Sequence, residues 1–256
     1  MLEARVHTTK TIGILGGMGP AATADFYQRI ITSTAACCDQ EHLHVLIDSY
    51  SHTPDRTAFL LGNGEDPTPA LLSMARRLEH AGADLLVIAC NTAHAFMEEL
   101  VLAVSIPIIN WIDEATSGVT KASPHLQRVG LLATTGTIKS NLYQHSFLAH
   151  NVQVIIPDLT SQEQLMTIIY GESGLKAGHS NGRCVMAMDS LIQSFVRDND
   201  IQAILLGCTE LSLLASASRQ RSLLPIFDAS QIVAERVVLR AGGRLSENRG
   251  IFLPDI

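Results

Sequence analysis

The chain repeats its chemistry at one fixed interval, and this repetition limits the folds that are open to it. Three pairs of landmarks share the interval to within one residue: Gly13 and Gly130 are 117 apart, Cys90 and Cys208 are 118 apart, and Pro107 and Pro225 are 118 apart. Self-similarity at a fixed offset is the mark of a duplicated unit. The 256 residues therefore predict two copies of one α/β unit, the first ending near residue 111 and the second near residue 228.

Short runs of Ile, Val and Leu alternate with longer segments of helical pattern, which is typical of βαβ units around a parallel sheet. The predicted strands are 11–16, 44–49, 84–90, 106–110, 128–134, 152–158, 202–208 and 224–228. The predicted helices are 20–35, 67–81, 93–103, 112–121, 137–149, 160–170, 183–198 and 229–241. The prediction is an α/β fold of two pseudo-symmetric domains, each a four-stranded parallel sheet flanked by helices.

The boundaries of the two domains follow from the offset. The first domain is predicted to comprise residues 1–111 together with 229–256, and the second residues 112–228. The last helix is assigned to the first domain because a terminal helix in such a duplication often packs back on the first half.

Charge and hydropathy narrow the class of partner. The formal net charge is -7 and Lys and Arg are not clustered, which argues against a nucleic acid or an anionic membrane. No apolar run approaches the roughly 20 residues of a membrane span, and the N-terminus lacks a signal-peptide pattern. We expect a cytoplasmic protein with a small-molecule partner.

Five cysteines, an odd number in a chain of this length, predict free thiols rather than a disulfide framework. Cys37, Cys38 and Cys184 lie within or beside helical pattern and are interpreted as space-filling core residues. A metal site at the cluster around residues 37–44 is disfavoured because its two cysteines are adjacent rather than spaced for zinc.

Cys90 and Cys208 have a different setting, because each ends a predicted buried strand and is followed by polar residues. Ligands of parallel sheets bind beyond the carboxyl ends of the strands, so the two thiols are predicted to face one another across a cleft between the domains. Two like groups on opposite faces of one carbon suit a reaction that removes a proton from one face and delivers another proton to the opposite face. Asn91, Thr92 and Thr209 stand where they can hold an amino acid's carboxylate and amine.

Six stretches of the chain form a recognisable set of motifs: "GILGGMGPAAT" (13–23), "TPDRT" (53–57), "ACNTAH" (89–94), "LLATTGTIKSNLY" (131–143), "GCTEL" (207–211) and "PIFDAS" (225–230). Together they resemble the aspartate/glutamate racemase family, the pyridoxal-independent two-cysteine amino-acid racemases. The resemblance covers nearly the whole chain. Gly17, Met18 and Glu210, in place of residues usual in glutamate racemases, point to the aspartate racemase branch.

The resemblance implies a homodimer that needs neither cofactor nor metal, with the active site in the interdomain cleft. It implies that Cys90 takes the proton from the D-enantiomer and Cys208 from the L-enantiomer. The implied substrate-binding residues are Met18, Arg56, Asn91, Thr92, Thr134 or Thr135, Lys176 and Thr209.

Elementary physical chemistry supports the two cations, because an enclosed dicarboxylic amino acid has a second charge that must be paired. Arg56 sits in a Pro54-Asp55 turn that favours a fixed position, whereas Lys176 lies in a looser motif. Glu210 is interpreted as a residue behind the substrate that tunes Cys208 or orients the amine. His94 is interpreted as a packing residue.

The glycines of "GILGGMG" are misplaced for a dinucleotide fingerprint, and Pro20 fits the first position of a helix. Other functions stay open on the sequence alone. A maleate-isomerase-like enzyme would use one cysteine to attack carbon in a small dicarboxylate. A decarboxylase of the same superfamily would need one thiol, and an amino-acid-binding sensor would keep the cleft without turnover.

Overall fold

A computed structural model describes residues 9–180 and 182–247. The strands are β1 (Ile12–Gly16), β2 (Val45–Ser49), β3 (Leu85–Ile88), β4 (Ile108–Ile109), β5 (Arg128–Leu132), β6 (Gln153–Ile155), β7 (Ala203–Leu206) and β8 (Ile226–Asp228). The α-helices are α1 (Pro20–Ser33), α2 (Arg56–Leu60), α3 (Thr68–His80), α4 (Met97–Ala103), α5 (Trp111–Ala122), α6 (Thr135–Lys139), α7 (Leu142–Leu148), α8 (Leu159–Tyr170), α9 (Gly182–Asp198), α10 (Ala215–Arg219) and α11 (Ala229–Arg240). Short 3-10 helices cover Asp39–Glu41, Thr92–Phe96, Leu175–Ala177 and Leu211–Leu214.

The strands form two four-stranded parallel sheets, in the orders β2-β1-β3-β4 and β6-β5-β7-β8. The second order repeats the first with every strand number raised by four. This confirms the predicted α/β fold of two pseudo-symmetric units. The strands that precede the two thiols, β3 and β7, are interior strands, paired on both edges.

One apolar core is shared by the two sheets. Ile14 and Val87 from the first sheet and Leu131 and Leu205 from the second contribute to it, and α1, α5, α7 and α11 supply its helical residues. The outer face of each sheet has a separate core, covered by α3 and α4 in the first half and by α8 to α10 in the second. The two halves are thus joined by buried apolar surface rather than by a flexible linker.

The last helix, α11, packs against α1 of the first half and against α5. Asn110 and Asp228 begin α5 and α11 with side chains that accept hydrogen bonds from the first turn, and they are 118 residues apart. The predicted domain boundaries stay a prediction, and their terminal portions, 1–8 and 248–256, lie outside the described residues.

Three local predictions were wrong. Cys37 and Cys38 are exposed, beside the 3-10 helix Asp39–Glu41, so they do not fill the core, whereas Cys184 is buried as expected. The predicted helix 137–149 is two helices, because Asn141 adopts a left-handed backbone conformation (φ 54°) between them. No helix was predicted between 35 and 67, but α2 lies there; Asp55 begins it by accepting from the backbone N–H of Ala58 at 2.7 Å.

Candidate active site

Cys90 and Cys208 lie two residues beyond the ends of β3 and β7. The thiol-bearing residues are only 5% and 4% exposed, and a 3-10 helix follows each of them. Because both strands are parallel and interior, the two thiols stand at the carboxyl edges of the two sheets, where following turns expose backbone donors and polar side chains.

Glu210 connects the second thiol to the first half of the chain. Its Oε2 accepts a hydrogen bond from the Cys208 thiol at 3.1 Å, and its Oε1 accepts from Lys176 Nζ at 2.7 Å. The same Oε1 accepts from the backbone N–H of Gly19 at 3.0 Å. One carboxylate therefore accepts hydrogen bonds from a thiol, a cation and a turn of the opposite half.

The Met18 carbonyl brings the two cations together. It accepts from Lys176 Nζ at 3.1 Å and from Arg56 Nη2 at 3.1 Å. Arg56 is 6% exposed, and its Nη1 also donates to the carbonyls of Thr53 and Pro54. Met18 thus contacts both cations through its backbone carbonyl, while its side chain is buried in the apolar cluster that includes Cys90.

Gly17 makes this position of Met18 possible. Its φ of +84° lies in the left-handed region, and a Cβ there would approach the backbone of Tyr50 to 2.5 Å. Its N–H donates to Thr23 Oγ1, inside the first turns of α1. Glycine at this position thus permits the close approach of the turn to the backbone at Tyr50.

The charges in the site are coupled. Burial raises the pKa of Glu210, but the Lys176 charge together with hydrogen bonds from Lys176 and Cys208 outweighs burial, and the net pKa of Glu210 is lowered. Burial lowers the pKa of Lys176, but the Glu210 carboxylate together with the Cys208 and Cys90 sulfurs outweighs burial, and the net pKa of Lys176 is raised. Both groups are therefore charged near neutral pH.

The second thiol is held in its protonated form. Burial raises the pKa of Cys208 well above its ordinary value, the Glu210 carboxylate adds to this rise, and Lys176 opposes it. For Arg56, burial lowers the pKa, but the nearby Cys90 thiol is the largest opposing cause and the net pKa is raised. Each thiol thus has a cation among its neighbours.

Amide and hydroxyl groups follow the first thiol in the chain. Tyr143 donates its hydroxyl hydrogen to Asn91 Oδ1, while Asn91 Nδ2 is buried without a partner. The hydroxyls of Thr92, Thr134 and Thr137 form a buried triangle with sides of 2.9, 2.9 and 3.1 Å. These contacts again join the two halves.

Two further predicted residues, Thr209 and Thr135, have different hydrogen-bond partners. Thr209 donates to Glu210 Oε2 at 3.3 Å and so joins the network around the second thiol. Thr135 is half-buried and contacts Gln162 and Met166. Of the two threonines that the sequence offered, Thr134 is the one that contacts a residue of the first half.

His94 is buried against backbone. Its Nδ1 lies 2.9 Å from the Cys90 carbonyl, and its Nε2 accepts from the backbone N–H of Trp111 at 3.2 Å. Burial lowers the pKa of His94 to about 4. The imidazole is neutral, and the interpretation as a packing residue is consistent with these contacts.

Sequence reasoning missed Gly19, Thr137 and Tyr143, each of which contacts a predicted residue from the opposite half. All three stand within quoted motifs, but the contacts depend on how the halves meet. No group of three His, Cys, Asp or Glu side chains within 9–180 and 182–247 is arranged to hold a metal ion. Within the same ranges, no helix is both long and apolar enough to cross a bilayer.

The fold and site define an α/β protein of two like halves that enclose two thiols and two cations between them. The chain belongs to the Asp/Glu/hydantoin racemase family, whose model matches residues 15–237. The members of this family that it resembles are amino-acid racemases, which are isomerases.

Three relatives illustrate the match. The structure of an aspartate racemase from Picrophilus torridus has a TM-score of 0.82 and 30% identity, covering 94% of this chain and 97% of that one. A broad specificity amino-acid racemase, RacX, from Bacillus subtilis is 28% identical over 89% of this chain and 96% of its own. A glutamate racemase from Latilactobacillus sakei is 34% identical over 56% of this chain and 50% of its own.

Proposed function

We propose that the protein interconverts the L- and D-enantiomers of aspartate or glutamate by proton transfer between Cys90 and Cys208, without a cofactor. The observation that carries the proposal is the continuous set of contacts from Cys208 through Glu210, Lys176 and the Met18 carbonyl to Arg56, beside Cys90. These contacts support a single buried site that contains two thiols and two cations.

The two cations favour a dicarboxylic substrate. A buried carboxylate requires a paired charge, and Arg56 and Lys176 provide one for each end of aspartate or glutamate. Arg56 Nε and Asn91 Nδ2 are buried donors without a partner among the described residues, and substrate oxygens would satisfy them. The hydroxyls of Thr92 and Thr134 and of Thr209 are further partners for the α-carboxylate and amine.

The proposed step balances without an external reagent. Cys90 as thiolate takes the α-proton of the D-enantiomer, and the electron pair left on carbon is delocalised into the α-carboxylate. The Cys208 thiol then gives its proton to the opposite face, which yields the L-enantiomer and a Cys208 thiolate. The reverse direction exchanges the roles, so each thiol serves as base for one enantiomer.

Glu210 has a supporting role in this proposal. Its carboxylate holds the proton on Cys208 and neutralises Lys176 while the site is closed. A substrate carboxylate that takes Lys176 would replace Glu210 as the partner of that cation.

The relatives support a racemase and differ in substrate range. One is named an aspartate racemase and another a broad specificity amino-acid racemase. The pair of cations favours the dicarboxylic range for this chain. We further propose a cytoplasmic homodimer; sedimentation of the purified protein at two times the monomer mass is the expected result.

The test follows L- and D-aspartate and glutamate in deuterated water, recording α-proton exchange by NMR and inversion by optical rotation. The wild-type protein is expected to catalyse both α-proton exchange and inversion. Cys90→Ala and Cys208→Ala are expected to lose about 10²- to 10⁴-fold in inversion, the usual contribution of a positioned acid or base. Cys37→Ala, which removes an exposed thiol away from this site, is the control and should keep full rate.

Other outcomes decide against the proposal. Binding without exchange would identify an amino-acid sensor. Turnover of maleate, with no inversion of either amino acid, would identify an isomerase in which one thiol attacks carbon. Loss of carbon dioxide that survives one of the two cysteine substitutions would identify a decarboxylase.

A further inference from the structure

Four residues after each thiol stands a buried polar residue that hydrogen-bonds to the start of a neighbouring helix. These residues are His94 in the first half and Ser212 in the second, 118 residues apart. Both stand in the 3-10 helix after their thiol. They have unlike side chains, yet each contacts the start of the helix that follows the next strand, α5 or α11.

His94 is bound at both ring nitrogens. A carbonyl oxygen only accepts and a backbone amide only donates, so the ring carries its hydrogen on Nδ1, donates to the Cys90 carbonyl and accepts from Trp111 at Nε2. Neither nitrogen is left to exchange a proton with a substrate. The imidazole instead fixes the carbonyl of the thiol-bearing residue to the first residue of α5.

Ser212 makes the corresponding connection in the second half. Its hydroxyl donates to Asp228 Oδ1 at 2.6 Å and lies 2.7 Å from Ser230 Oγ, in the first turn of α11. Asp228 Oδ2 pairs with Arg29 at 2.9 Å, and Arg29 also donates to the Ser212 carbonyl at 2.9 Å. The turn after Cys208 is therefore tied to α11 and to α1.

We propose that His94 and Ser212 are positioning residues, each of which fixes the direction of the thiol in its own half. This inference rests on the proposed two-thiol racemisation. Proton transfer between sulfur and carbon depends on their separation and alignment, and a displacement of about 1 Å in a supporting residue can cost on the order of 100-fold in rate. Each residue supports the turn that follows one thiol, so its loss impairs the proton transfer of that thiol.

Primary deuterium isotope effects separate the two transfers. The probes are L- and D-aspartate, or L- and D-glutamate if that pair is turned over, each carrying deuterium or hydrogen at the α-carbon. When one thiol's transfer is slowed, the isotope effect on kcat/KM rises for the enantiomer that this thiol deprotonates and falls for the other. Cys90→Ser and Cys208→Ser establish which enantiomer belongs to which thiol.

His94→Gln keeps an acceptor for the Trp111 amide but leaves the Cys90 carbonyl without its donor. It is expected to lower kcat/KM by about tenfold or more and to shift the two isotope effects in the same sense as Cys90→Ser. Ser212→Ala is the matched counterpart and is expected to shift them in the sense of Cys208→Ser.

His94→Asn tests the hydrogen bond rather than the ring, because its amide N–H lies where Nδ1 lies. It is expected to return both isotope effects toward the wild-type values. If His94→Gln and Ser212→Ala lower the rate but leave both isotope effects unchanged, the residues are structural only and the inference is wrong. A wild-type protein that inverts neither amino acid would instead refute the proposed function.

Discussion

Replacing His94 by asparagine is expected to remove a large part of the loss of stability that the protein suffers at mildly acidic pH. In the unfolded chain a histidine titrates near pH 6.5, whereas burial lowers the pKa of His94 to about 4 in the fold. Between these values only the unfolded chain binds the proton. The stability contribution is therefore complete above the unfolded pKa and is lost as the pH falls toward the folded one.

The size of the effect follows from the two pKa values. Proton linkage over this interval lowers the free energy of unfolding by about 2 kcal/mol between about pH 7.5 and about pH 5. Urea unfolding, followed by circular dichroism at both pH values, measures it. The variant is less stable at the higher pH, because the amide N–H of Trp111 loses its acceptor, and this deficit is expected to shrink by about 2 kcal/mol at the lower pH.

The control is His125→Asn, which removes an exposed imidazole. Its stability relative to the wild-type protein is expected to be the same at both pH values. If the deficit of His94→Asn is equally independent of pH, His94 is not held neutral by the fold. That result would refute the assignment of its hydrogen on Nδ1 and its accepted bond from Trp111.

Two further predictions concern the packing of α5 against α11 and the protonation of Cys208. Gly118→Ala is expected to cost about 1 to 3 kcal/mol in urea unfolding, because a Cβ there would overlap Ile232 of α11; Gly182→Ala, with open space around it, is the control. Glu210→Gln is expected to move the Cys208-dependent limb of the pH profile of kcat/KM to lower pH, because burial remains while the carboxylate that further raises the pKa of Cys208 is removed. A limb at unchanged pH would contradict the coupling.

The sequence was sufficient to predict the architecture because each strand coincides with a short local run of apolar residues. All eight predicted strands occur, and Pro20 begins α1 as expected. The apolar runs before Cys90 and Cys208 predicted a buried strand ahead of each thiol, and β3 and β7 are buried strands at these places. What was missed at this level depended on single residues, such as the left-handed Asn141 that ends one helix before another begins.

The site was predicted less completely, for a physical reason. Arg56 and Lys176 were identified as cations, but their common partner is a backbone carbonyl, that of Met18, which has no signature in a sequence. Tyr143 reaches Asn91 from the other half, across 52 residues of chain. Contacts between halves depend on the packing of two sheets through a shared core, which local periodicity does not encode.

The duplication also explains why the two halves of the site are unlike. At the 118-residue offset, Thr92 corresponds to Glu210 and His94 to Ser212, while the two cysteines correspond to each other. A two-base inversion needs an acid/base group on each face of the α-carbon, and two like groups serve both directions alike, because the substrate and its mirror image exchange those faces. The carboxylates and the amine have no such symmetry, and each is bound once. The proposed reaction is therefore well served by two like thiols with different groups beside them, and the contacts of Glu210 with Lys176 and of Thr92 with Thr134 are that difference.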